Sequence, residues 1–171
     1  MRRQWAARAA IAVVSAAIAL AGAACGTGPG PAADEIAQLG FTLKDMNGHD
    51  VRLADFKGKP LIVNFWATWC EPCQLETPQL EELSRKYKDQ GLTILGIETD
   101  SDAADVRKFA AEYKVTYTLL LGQDRSDVET AFSWTGMLPT SVFVRADGTI
   151  AGRLQGLQTE TEWEKRIRQL F

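Results

Sequence analysis

Residues 65–73 read FWATWCEPC, and the surroundings of that stretch decide the fold. It closes an apolar run, LIVNFWA at 61–67, with the composition of a strand covered on both faces. It opens a segment in which Leu80, Leu83 and Tyr87 recur at helical spacing as far as Gly91. Two cysteines, two residues apart, therefore fall at a strand-to-helix junction. There the first thiol meets the positive end of the helix and its unpaired N–H groups, which lowers its pKa and makes thiolate available. Cys70 is the expected attacking thiol, and Cys73, one turn into the helix, the shielded thiol that resolves a mixed disulfide. Pro78, inside the helical segment, is expected to kink the helix or delay its start.

Outward from this junction the pattern alternates. FTLKD (41–45) and DVRL (50–53) flank Asn47-Gly48, a signal for a turn between short strands. LTILGIE (92–98) reads as the next buried strand. Val106, Phe109, Ala110 and Tyr113 give 103–113 one apolar helical face. TYTLLL then predicts a strand, 126–133 a short helix, and TSVFVRADGTIAGRLQG two strands turning at Asp147-Gly148. Thr159 and Glu162, in capping-box spacing, open a last helix with Trp163, Ile167 and Leu170 along one side. The order β-β-β-α-β-α-β-α-β-β-α predicts one α/β domain over 35–171, a mixed central sheet flanked by helices with an N-terminal β-hairpin extension.

The front of the chain reads differently. Arg2, Arg3 and Arg8 precede an apolar run at 9–21 and then small residues up to Cys25, the pattern of a secretory signal over residues 1–24. The run is shorter than the roughly 20 residues of a membrane-spanning helix. Gly22 to Cys25, GAAC, resembles the lipobox of bacterial lipoproteins, in which the cysteine becomes the lipidated first residue. Gly22 departs from the Leu-like residue usual three positions before it, and Ala21-Gly22-Ala23 also allows a plain secretory cut. Of three cysteines two form the CxxC, and lipidation would consume the third. Residues 25–34 then read as a flexible tether, since GTGPGPAA offers nothing large and apolar to pack. Without residues 1–24 the chain keeps 16 basic against 22 acidic side chains, a net charge of −6, which argues against nucleic acid as a partner. What remains is long enough for one core without structural disulfides, so the CxxC is not needed as a staple.

NFWATWCEPC, the whole run LKDMNGHDVRLADFKGKPLIVNFWATWCEPC and Met137-Leu138-Pro139-Thr140 before a strand together resemble the thioredoxin superfamily. The likeness is greatest to its exported, membrane-attached thiol-disulfide oxidoreductases of the TlpA and ResA type, and it spans nearly all of 41–171. The resemblance implies a thioredoxin-like fold and a redox-active Cys70–Cys73 disulfide, with no further cofactor. It also implies a cis bond at Pro139, with Trp69, Glu71, Pro72 and Leu138 around the dithiol where a polypeptide docks. Ordinary thioredoxins carry a buried Asp at the position of Asn64; Asn cannot do that acid–base work. The ResA-like branch takes an acid from beyond the next strand, here Glu98 or Asp100, with solvated loop acids as the competing reading.

Glu71 beside Cys70 opposes thiolate formation, and no His lies between the cysteines; both features push toward a reducing couple. The expected partners are proteins with disulfides or CxxC(H) motifs, such as apocytochrome c during cytochrome c maturation. A membrane thiol-disulfide transporter would carry electrons outward to recharge the protein. It would be held by an N-terminal lipid on the outer face of the cytoplasmic membrane, or else be secreted or periplasmic. An exported disulfide oxidase is the competing role. Copper delivery is weaker, because the only His, His49, lies upstream in a predicted turn, and the ligands are too few for a zinc site.

Overall fold

The computed structural model describes residues 35–171, so the expected signal segment, Cys25 and the expected tether lie outside the described residues. Seven strands form one mixed sheet: β1 (Thr42–Asp45), β2 (Asp50–Arg52), β3 (Leu61–Trp66), β4 (Thr93–Glu98), β5 (Thr118–Leu121), β6 (Thr140–Val144) and β7 (Ile150–Gln155). Four helices accompany them: α1 (Glu71–Lys86), α2 (Ala103–Tyr113), α3 (Ser126–Ala131) and α4 (Glu160–Ile167). The spatial order is β2-β1-β5-β4-β3-β6-β7. The centre, β5-β4-β3, is parallel, and β6 runs antiparallel to β3. The expected N-terminal hairpin is present and joins the sheet through β1 against β5.

Alternation along β3 sorts its side chains between two layers, as a strand's period of two requires. Leu61, Val63 and Phe65 enter a core with Leu95, Ile97, Val128, Phe132 and Val142. Ile62 enters the opposite core with Leu80, Leu83, Phe143, Trp163 and Ile167. Asn64 shares the face of Ile62 and Trp66, and so does its antiparallel partner Ser141 on β6. One polar strip therefore crosses the buried face beneath α1.

Helix α1 starts at Glu71 and runs through Pro78, so the proline delays nothing. Pro78 lies on the exposed side, where its ring is tolerated at the cost of one backbone hydrogen bond. The helix gives way to a 3₁₀ turn at Lys88–Gln90, and Gly91 then takes the left-handed conformation, φ 85°, that a side chain disfavours. At α4 only half of the expected capping box forms. The Thr159 side chain accepts from the Glu162 N–H at 3.3 Å, while the Glu162 carboxylate pairs with Lys165 and Arg166.

Candidate active site

The parallel centre of the sheet brings the C-terminal ends of β3 and β4 to one pole, and the chain leaving β3 turns there into α1. Cys70 is the N-cap of α1 with extended backbone (φ −79°, ψ 105°), and its Sγ accepts the Cys73 N–H at 3.3 Å. A cap sulfur in this position meets an orphan helix donor, which favours its ionised form. Cys70 and Cys73 are joined as a disulfide, both nearly buried at 5 % and 2 % exposure. The bond Leu138–Pro139 is cis, and Leu138 packs against the cluster that contains both cysteines. Trp69, Glu71 and Pro72 are exposed around the dithiol. The two tryptophans of the opening stretch divide sharply, Trp66 being 3 % and Trp69 63 % exposed.

A pair of loops carries this constellation, and a single buried carboxylate ties them together. Glu98, at the end of β4 and 0 % exposed, accepts the backbone N–H of Thr68 at 3.4 Å, that of Asp100 at 2.9 Å and that of Ser101. The Thr68 and Ser101 hydroxyls meet at 2.7 Å. Asp100 in turn accepts the Trp69 indole N–H at 2.8 Å. Both acids expected from the sequence are thus at the dithiol pole, one holding backbone and the other holding the exposed indole.

A third acid was not anticipated. Glu76, one turn beyond Cys73, is only 2 % exposed and accepts the Asn64 Nδ2 at 2.8 Å; the same amide group donates to Ser141 Oγ at 3.0 Å. Removal from water disfavours the charged carboxylate more than this one hydrogen bond favours it, and the Glu76 carboxyl is pushed up to about 8. The signal was present in the helical phase: Cys73, Thr77, Leu80 and Leu83 face inward, and Glu76 lies in register with them.

Other features fall away from the dithiol. His49 sits in the β1–β2 turn with Nδ1 3.1 Å from Asp45 Oδ2. Among the described residues no three His, Cys, Asp or Glu side chains converge as metal ligands, and no helix is long and apolar enough to cross a membrane. A cavity of about 410 Å³ is lined by Leu39, Phe56, Leu61 and Val144, at the opposite end of β3. A groove of about 340 Å³ is lined by Thr68 and Gln74, which flank the dithiol in sequence, and by Asp105, Lys108 and Tyr113 of α2.

Comparison with known proteins agrees with this geometry. Residues 34–153 match the AhpC/TSA family. The thiol-disulfide oxidoreductase ResA of Geobacillus kaustophilus is 36% identical over 128 residues, covering 74% of this chain and 72% of its own. Among solved structures, Mycobacterium tuberculosis dsbF, captured in mixed oxidized and reduced forms, superposes with a TM-score of 0.71 at 29% identity, over 79% of this chain and 98% of that one. A secreted disulfide oxidoreductase of the same organism, homologous to E. coli DsbE, gives 0.69 at 27% identity over 76% and 96%. A disulfide-bonded CxxC capping the first helix of a mixed sheet, with Leu138 packed against the cysteine cluster, is thioredoxin-like redox machinery. The chain belongs to the AhpC/TSA family and is a thiol-disulfide oxidoreductase of thioredoxin-like fold.

Proposed function

We propose that the protein is an exported reductant of protein disulfides, held at the membrane through Cys25 and working by exchange at Cys70 and Cys73. The observation that carries the direction is electrostatic. From Pro60 to Ser84 the chain holds no cation, while Glu71 and Glu76 stand in the first two turns of α1. The Glu71 charge next to Cys70 opposes thiolate, while Glu76, its carboxyl raised by burial, holds its proton near neutral pH and adds no positive charge in support. A couple whose thiolate is poorly stabilised is the more reducing one.

In the reducing direction the Cys70 thiolate attacks one sulfur of a client disulfide and releases the other as a thiolate. The Cys73 thiol, losing its proton, then attacks Cys70 Sγ, frees the client's second thiolate and restores the Cys70–Cys73 disulfide, so two electrons pass to the client. Glu76 is the group assigned to that proton, since its raised pKa lets it take a proton or give one back near neutral pH. Glu98 and Asp100 support the loops on this reading. The client lies extended across Leu138, whose N–H and C=O have no partner among the described residues. A dithiol partner in the membrane recharges the protein, and a CxxCH segment of apocytochrome c is a fitting client.

The opposing role, an oxidase, draws on the Cys73 N–H that stabilises the Cys70 thiolate. The midpoint potential against glutathione, measured beside the reduction of insulin and a CxxCH peptide disulfide, decides between them. A potential well below that of glutathione with peptide reduction supports the reductant. A potential near that of a strong oxidant overturns it. Mass spectrometry of membrane-extracted protein tests acylation of Cys25.

A further inference from the structure

The segment that delivers Leu138 to the dithiol is fastened by a residue remote from the sulfurs. Between α3 and β6 the chain makes two left-handed steps, Ser133 (φ 53°) and Gly136 (φ 85°), with Trp134 between them. The Trp134 backbone N–H donates to Glu129 O at 2.9 Å. Its ring stacks on Phe65 of β3, with centroids 5.6 Å apart and planes within 10°, and Phe65 is itself 0 % exposed. From that fixed platform the indole N–H donates to Met137 O at 2.8 Å. Thr140 Oγ1, from the first residue of β6, donates to the same carbonyl at 2.7 Å.

Two donors fill both lone pairs of the Met137 carbonyl. An extended client approaching this edge therefore finds no acceptor at Met137 and meets the free backbone groups of Leu138, one residue on. We propose that Trp134 is a positioning residue for client docking: with Thr140 it fixes the strap before Pro139 and sets the register in which a polypeptide pairs there. The inference rests on the docking of clients at Leu138 proposed above and is independent of the direction of electron flow.

Trp134→Phe keeps a ring on Phe65 and removes the N–H. Kinetics with one CxxCH peptide, run as disulfide with the reduced protein and as dithiol with the oxidised protein, read the effect. The expected result is a KM higher by about 3- to 10-fold in both directions, the equivalent of one hydrogen bond, with kcat within about twofold. The midpoint potential and the alkylation rate of Cys70 by iodoacetamide stay at the wild-type values. Thr140→Val, which removes the second donor, raises KM in the same way, and Thr140→Ser, which restores it, brings KM back. An unchanged KM in folded Trp134→Phe overturns the proposal. So does a parallel shift of KM, potential and alkylation rate, which marks a general loosening of the site. If Trp134→Phe does not fold, the Thr140 pair decides alone: KM high in Val and restored in Ser supports the clamp, and equal KM values refute it. Failure of the docking reading shows separately, as wild-type rates that never saturate with peptide.

Discussion

Replacing Glu76 by Gln isolates the buried proton. The amide has the same shape and can still accept from Asn64 Nδ2, but it does not ionise. In the native protein the carboxyl is raised from its ordinary 4.5 to about 8, chiefly because burial penalises the charged form. Between these values the folded chain binds one proton more than the unfolded chain, so stability falls as pH rises. The contribution is complete below about pH 4.5, declines by about 1.4 kcal/mol per pH unit, and is lost above about pH 8. From pH 5 to pH 8 the loss from this one group comes to about 3–4 kcal/mol. Urea denaturation of the oxidised protein at pH 5, 6.5 and 8 reads it directly, with no free thiol at the dithiol to titrate. Every other ionisable group is common to wild type and Glu76→Gln, so the difference between their two pH profiles isolates Glu76. The variant's profile is expected to be flatter by those 3–4 kcal/mol. Parallel profiles would refute the assignment of a proton-binding carboxyl to this site.

Substitutions at two further positions, Glu98 and Gly122, probe the pole that carries the dithiol. Glu98→Ala leaves the backbone N–H groups of Thr68, Asp100 and Ser101 without their acceptor, and is expected to lower stability by about 3–5 kcal/mol in urea denaturation. Glu98→Gln, retaining one carbonyl oxygen, should lose clearly less, and equal losses would mean that the three contacts carry little. Gly122→Ala places a Cβ 2.5 Å from Ile97 Cγ2 and 2.9 Å from the Glu98 carbonyl. Since the Gly122 N–H also donates to that carbonyl at 2.7 Å, the backbone cannot retreat without losing the bond. A loss of about 2–3 kcal/mol is expected, and a variant with an unchanged thermal midpoint would show that the loop yields.

The fold was legible in the sequence because its signals are local and repeated. Each strand and helix carries its own periodicity, and Asn47-Gly48 and Asp147-Gly148 mark hairpins in which both glycines take positive φ, 88° and 90°. The cysteines were equally legible, since a strand-to-helix CxxC defines its own geometry. Less visible were features that depend on which side chains meet across elements. Pro78 reads as a helix boundary when only backbone chemistry is weighed, yet packing of Cys73, Thr77, Leu80 and Leu83 against the sheet carries the helix past it. Trp134 reads as one aromatic residue in a loop. Its stacking on Phe65 joins residues 69 positions apart, and no short window of sequence shows that pairing.

Glu76 was overlooked for a related reason, and its setting explains how Asn can stand at position 64. A strand acid there would reach the buried cysteine from below, as in the ordinary thioredoxins the chain resembles. Here the amide of Asn64 donates both to Glu76 and to Ser141, so the strand supplies hydrogen-bond donors and the helix supplies the acid. The two buried acids of the pole then differ by what faces them. Glu98 has both oxygens engaged by backbone N–H groups from two loops, an arrangement that suits a fixed anchor. Glu76 has a single side-chain donor and is nearly buried, so holding its proton satisfies the carboxyl at lower cost than a charge would. On the proposed reading the acid lies on the helix that carries the sulfurs, one turn beyond Cys73, and not on the sheet. It then shares a helix with the cysteine whose proton that reading has it take and return.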